Sequence, residues 1–257
     1  MIFSPIQILL HFKQSIFFKM NRILILFHLV VLCPFLKSYG QELPQRKMIV
    51  VIDPGHGGKD PGAIGIDGIQ EKDITLLMAK RLVKNYQKTG DNKLEIYLTR
   101  YSDSLILLKD RARLAIALKA DLFLSIHCNW SINTSANGVE AFVPYPGNRS
   151  YANIRTSISL ALDLILRLSK EYELKSRGVK FANFQVLQEA VVQCPSVLLE
   201  VGFLTNPEDI DDFLNPAYIT TLINILNNND EAALFKNMVY TTSAYYCCYF
   251  RNKKFNY

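Results

Sequence analysis

The chain has 257 residues, with 29 Lys and Arg against 23 Asp and Glu and a formal charge of +6. Residues 1–40 hold four of the cations, Lys13, Lys19, Arg22 and Lys37, and no acid; without them 25 cations face 23 acids and the charge is +2. So balanced a chain lacks the basic footprint of a nucleic-acid binder, no nucleic-acid partner is expected, and the remaining length is ordinary for one domain.

Taken in chain order, the first element is one that processing removes. From Ile23 to Leu36 the chain is uncharged and almost wholly apolar, lies between Arg22 and Lys37, and is shorter than the roughly 18 to 20 residues that cross a bilayer. Ser38 and Gly40 put small residues at the two positions a signal peptidase reads. These features predict a signal peptide over residues 1–40, cleavage after Gly40, and an exported protein of the periplasm or cell envelope. Met20 stands directly before Asn21 and Arg22 and is an alternative start. An uncleaved anchor is the competing reading; a lipid anchor at Cys33 is disfavoured by the bulky Leu32 before it and Pro34 after it. Beyond this segment Cys128, Cys194, Cys247 and Cys248 remain, with no C-x-x-C pair. Their spacing fixes no disulfide, and Cys128 and Cys194 read as buried residues.

After a polar connector, residues 41–47, short apolar runs rich in β-branched and aromatic residues predict six strands: Met48–Asp53, Leu94–Thr99, Leu122–His127, Val139–Val143, Phe184–Leu187 and Val197–Val201. Between them, Ile74, Leu77, Met78, Arg81 and Leu82 keep helical spacing, as do Leu107, Leu108, Arg111, Leu114, Ala115 and Leu118. A longer helix is predicted over Ser150–Leu174, with Arg177-Gly178 as its stop. The alternation predicts an α/β fold, a mostly parallel twisted sheet of about six strands with helices on both faces, spanning residues 48–228. In such sheets the site lies beyond the carboxyl ends of the strands. The tail, residues 229–257, fits no element.

Two histidines remain beyond residue 40, His56 and His127, and each stands where an apolar strand gives way to a polar or Gly-rich loop. A lone histidine is more often structural than a ligand; two at strand ends with carboxylates nearby weigh more. The loop Asp53-Pro54-Gly55-His56-Gly57-Gly58-Lys59-Asp60 is not a phosphate cradle, because no G-x-x-x-x-G-K-[ST] string is present and Asp60 takes the third glycine position of a G-x-G-x-x-G. By spacing alone Glu71 reads as favourable charge at a helix N-terminus. Glu200 ends the apolar run Val197-Leu198-Leu199, so its carboxylate is either buried with a partner or faces a site.

IVVIDPGHGGKDPGAIG (49–65), GIQEKDITL (68–76), LTRYSD (98–103), DLFLSIHCN (121–129), RGVKFANFQVL (177–187) and PSVLLEVGFLTNPED (195–209) together resemble the zinc-dependent N-acetylmuramoyl-L-alanine amidases of type 3, in order across about residues 48–214. The resemblance implies one Zn2+ held by His56, Glu71 and His127, with Glu200 as the catalytic carboxylate and peptidoglycan as the substrate. That donor set leaves one zinc position for water, as catalytic sites do. Asn129, Asn183 and Arg100 lie in the same motifs and are expected either to contact substrate or to brace loops; Arg111 and Asp103 read as structural. Cys128, adjacent to a ligand in a strand, should face away from it. Some members carry an inhibitory helix near the sheet edge. Here only Pro144–Arg149 separates a strand from the next helix, so no obligate activator is expected. The rival readings are a zinc peptidase cutting within the stem peptide and a catalytically silent wall-binding protein.

Overall fold

The computed structural model describes residues 46–146 and 150–227, with Asn21, Arg22, Leu24 and Phe27. Apart from those four, the predicted signal peptide lies outside the described residues, as do the alternative start at Met20, most of the connector and the 229–257 tail. The chain separates into two units, residues 1–46 and 47–257. In the first, the four described residues are helical and exposed. No helix among the described residues is long and apolar enough to cross a membrane.

The second unit runs β1 (Met48–Pro54), α1 (Glu71–Lys88), β2 (Leu94–Leu98), α2 (Leu108–Ala117), β3 (Leu122–Asn129), β4 (Val139–Pro144), α3 (Tyr151–Glu171), β5 (Ser176–Ala182), α4 (Gln185–Ala190), β6 (Ser196–Phe203), α5 (Pro207–Leu214) and α6 (Pro216–Asn227). The strands form one six-stranded sheet in the order β2-β1-β3-β6-β4-β5. Every neighbouring pair is parallel except β4 with β6. This is the mostly parallel α/β sheet that the alternation of elements predicted.

Alternation of side chains along each central strand creates two cores. Val50, Ile52, Leu124, Ile126, Val197 and Leu199 pack with Met78 and Leu82 of α1, Leu164 and Leu168 of α3, Phe213 of α5 and Leu222 of α6. Val51, Phe123 and Leu198 turn the other way, onto Ala112 and Ala115 of α2 and Val186, Leu187 and Ala190 of α4. Helices therefore cover both faces, thickly on the first and thinly on the second.

Two sequence expectations are corrected. Phe184–Leu187, predicted as a strand, is the N-cap and first turn of helix α4. Val186, Leu187 and Ala190 are its buried residues, so the short apolar run serves a helix face equally well. The sixth strand is instead β5, whose residues are exposed or half-buried because it forms the sheet edge. Helix α3 also ends earlier than predicted, at Glu171, and Arg177-Gly178 lies inside β5. There Gly178, at φ 81°, accommodates a register shift: Val139 pairs with Ser176 and Ala141 with Val179, so β5 carries an extra residue.

Candidate metal centre

His56, Glu71 and His127 come from three elements and meet beyond the carboxyl ends of β1 and β3. His56 follows β1, Glu71 opens α1, and His127 lies near the end of β3. One ligand atom from each lies within 4.8 Å of the others. Glu71 sits between the rings, its Oε2 3.1 Å from Nε2 of His56 and its Oε1 2.8 Å from Nδ1 of His127. The two imidazoles stand nearly edge to face, with centroids 5.0 Å apart. The backbone amides of Cys128 and Ala63 donate to Oε1 and Oε2 at 3.0 and 2.9 Å, which fixes the carboxylate. Glu71 is 4% exposed; burial opposes its charge, but the imidazoles beside it hold its pKa well below the usual carboxylate range. For His56 burial works against protonation, yet the hydrogen bonds to Glu71 and Asp60 prevail and raise it to about 9.

The loop glycines are explained by what packs on them. A Cβ at Gly62 would fall 2.5 Å from Oε2 of Glu71 and 2.6 Å from Cδ2 of His56, and Gly62 also has φ 66°. A Cβ at Gly55 would overlap the ring of His127. The Gly-rich run thus lets two histidines and a carboxylate approach the backbone.

Glu200 is the in-register neighbour of His127 on β6. Its Oε2 is buried and makes no hydrogen bond. Burial pushes its pKa up to about 7, while His127 pulls the other way and Glu71 adds to the rise. Among the described residues the structure therefore brings together His56, Glu71, His127 and Glu200, one carboxylate locked between imidazoles and one beside them with an unengaged oxygen.

The other predicted residues are placed apart from this group or facing elsewhere. Arg100, expected either to contact substrate or to brace loops, is 3% exposed and donates to the carbonyls of Pro54, Gly55, Lys72 and Ser102 and to Thr75 Oγ1, so its donors are used between the loop and the start of α1. Asn129 donates from Nδ2 to Glu140 Oε1 at 2.6 Å, and its Oδ1 accepts from the amide of Trp130. Asn183 is exposed between β5 and α4. Arg111 pairs with Asp53 at 2.8 Å, both buried, and Asp103 accepts from the Gly58 amide and Lys72, as structural roles require. Cys128 is 3% exposed within the larger core, and burial raises its thiol pKa well above the ordinary value, so it faces away from His127.

Two functional neighbours escaped the sequence reading. Asp60 Oδ2 lies 2.8 Å from Nδ1 of His56, placed as a carboxylate that can orient the imidazole of a metal-capable histidine. Glu140 pairs in register with Glu200, is 5% exposed, and accepts from Asn129 and Lys180. An acid at the fourth residue after a candidate histidine, and a lone acid within the apolar run Val139–Val143, were the available signals.

A mostly parallel α/β sheet whose strand ends gather two imidazoles and a carboxylate able to hold a metal ion, beside a further carboxylate, has the design of a metal-assisted hydrolase. Residues 50–228 match the family described as N-acetylmuramoyl-L-alanine amidase. The chain is 37% identical over 169 residues to the N-acetylmuramoyl-L-alanine amidase LytC of Bacillus subtilis, covering 66% of this chain and 32% of that longer protein. It is 32% identical over 215 residues to the amidase AmiA of Escherichia coli, covering 67% and 73% of the two chains. The crystal structure of N-acetylmuramoyl-L-alanine amidase from Clostridium difficile superposes with a TM-score of 0.61 at 30% identity, covering 75% of this chain and 97% of that one. The chain belongs to the N-acetylmuramoyl-L-alanine amidase family and is a hydrolase of that type.

Proposed function

We propose that this protein hydrolyses the amide between the lactyl group of N-acetylmuramic acid and the L-alanine of the peptidoglycan stem peptide, with one zinc ion held by His56, Glu71 and His127 and with Glu200 as the proton-transferring carboxylate. The observation that carries the reading is the pairing of a locked three-donor cluster with an adjacent carboxylate whose Oε2 is buried and unengaged. The residues fit zinc: two imidazoles and one carboxylate are a catalytic donor set, and the imidazole of His56 has the outer carboxylate partner such ligands keep. Zinc bound there would supply Lewis acidity and a water of lowered pKa.

The protein's own residues supply the rest. Glu71 is held by two backbone amides, so its orientation does not depend on the substrate. Glu200, with a pKa pushed up to about 7 by burial, can accept a proton from the attacking water and deliver one to the departing amine. Asn183, exposed between β5 and α4, is kept as a substrate contact on the family resemblance. Arg100 and Asn129 brace loops. The six-residue connection from β4 to α3, residues 145–150, leaves little chain for an inhibitory helix, which supports activity without an activator. Export through residues 1–40 would place the enzyme with its substrate.

The test is digestion of purified peptidoglycan by the zinc-loaded protein, with product analysis by mass spectrometry. Free muramoyl lactyl carboxylates and peptides beginning with L-alanine are expected. Glycan that keeps L-alanine while the peptides shorten would instead establish a peptidase, and zinc uptake without turnover would establish a silent binding protein.

A further inference from the structure

His56 is one of the few non-glycine residues among those described with positive φ, at 60°. A left-handed residue is sterically costly and persists only when its surroundings fix it. What fixes it lies beneath the loop. The carbonyls of Pro54, Gly55 and His56 all point to guanidinium groups. Arg100 Nε donates to Pro54 at 3.1 Å and its Nη2 to Gly55 at 2.8 Å. Arg111 Nη1 donates to Pro54 at 2.8 Å and its Nη2 to His56 at 2.7 Å.

Both arginines are 3% exposed. Burying a guanidinium is expensive unless its donors are met, and an apolar filler would stabilise the fold as well or better. Here the donors are met by the loop that carries a metal-capable histidine. Arg111 is balanced by Asp53, itself 1% exposed and bonded to Thr99 Oγ1 at 2.6 Å and Ser125 Oγ at 2.8 Å. Arg100 joins none of the ion pairs found among the described residues; its donors are met by carbonyl and hydroxyl oxygens, with Asp53, Asp103 and Asp73 favouring its charge from further off. One acceptor is the carbonyl of Lys72 at 2.7 Å, in the first turn of α1 and next in sequence to Glu71. Arg100 therefore ties the backbone that delivers His56 to the backbone that delivers Glu71.

We infer that Arg100 and Arg111 are positioning residues of the metal centre: two buried planar forks that hold the Pro54–His56 backbone, and its spacing from the first turn of α1, at the separation metal binding requires. The inference rests on the metal centre proposed above. A lysine in either place keeps the charge and loses the planar fork, so its single nitrogen cannot occupy the separate positions from which the guanidinium nitrogens reach these carbonyls.

The experiment uses the full chain and two readouts independent of turnover: zinc affinity by competition with a chromophoric chelator, and the visible spectrum of the cobalt-loaded protein. R100K and R111K should each lose about 10- to 100-fold in zinc affinity, the range for residues that orient ligands, and shift the cobalt bands. T75V leaves both guanidinium groups in place and removes a hydroxyl that donates to the Gly55 carbonyl at 2.9 Å and accepts from Arg100 Nη2 at 3.1 Å, and should lose at least about threefold, the scale of a single hydrogen bond. It keeps the test open if either lysine variant fails to fold. L168A, a core truncation in α3, controls for stability: it should lower the melting temperature of metal-free protein and leave zinc affinity and cobalt spectrum unchanged. Unchanged affinity and spectrum in folded R100K, R111K or T75V would overturn the inference, as would an equal affinity loss in L168A. If wild-type protein takes up neither metal, the metal-centre reading itself fails, which is a different result.

Discussion

On one face of the sheet, Val50, Ile52, Leu124, Ile126 and Leu199 lie under four helices, in one core with Met78, Leu82, Leu164, Phe213 and Leu222. On the other, α2 and α4 reach the sheet through Ala112, Ala115, Val186, Leu187 and Ala190, and toward the carboxyl ends of the strands the same face carries Asp53, Ser125, His127 and Glu200. The contrast follows from what each face can tolerate. A carboxylate pointing from a central strand into the thick core would lose its hydration among apolar side chains, whereas only two helices cover the thin face and the strand ends carry polar groups there. Stability and the strand-borne part of the chemistry are thus divided between the two faces, with Glu71 reaching the site from the first turn of α1, and substitutions should respect that division.

The largest effect belongs to the thin face. Glu200→Gln keeps the volume and removes the proton acceptor, so turnover of peptidoglycan should fall about a hundred- to ten-thousand-fold while zinc content stays equal to wild type. Comparable activity in the variant would remove Glu200 from its role. On the thick face, Leu164 is fully buried in α3, and Leu164→Ala should cost about 2–5 kcal/mol in denaturant unfolding with turnover per folded molecule unchanged. A selective loss of activity there would mean that the faces are coupled. Smaller again is Asp60→Ala, which strips His56 of its outer carboxylate; zinc affinity should drop about tenfold by chelator competition, with little change in the unfolding midpoint because Asp60 is half-exposed.

The sequence was most legible where one physical requirement dominates. Central parallel strands are buried on both sides, so Met48–Asp53, Leu122–His127 and Val197–Val201 show as continuous apolar runs and were located within a few residues. The edge strand β5 carries Ser176, Arg177 and Lys180 and has no such run, so Phe184–Leu187 was read as the strand in its place. Of the four residues that the structure gathers at the site, His56, His127 and Glu200 stand out because each interrupts an apolar or Gly-rich pattern, whereas Glu71 reads by spacing as helix N-terminal charge; the roles of all four needed the family resemblance. Arg100 shows the limit of that method. A motif marks that a residue matters, but only coordinates reveal that its donors turn inward to loop carbonyls. Asp60 and Glu140 show another: partners of functional groups leave no periodic signature of their own.

The sharpest small test of the division between faces lies at Cys128, which follows His127 and yet belongs to the other core. Its amide donates to Glu71 Oε1 at 3.0 Å, while its side chain packs among the apolar residues of the thick face. Neighbouring side chains on a strand point to opposite sides, so the thiol should take no part in metal binding even though its own backbone touches a metal-capable carboxylate. Cys128→Ala keeps the amide and deletes only the sulfur. The expected result is a loss of about 1 kcal/mol in unfolding free energy, the scale of one buried heavy atom, with zinc content and turnover as in wild type. A fall in zinc affinity in this variant would show the sulfur reaching across the sheet, and the separation of stabilising from reactive face would then have to be abandoned at the strand where it is most tightly drawn.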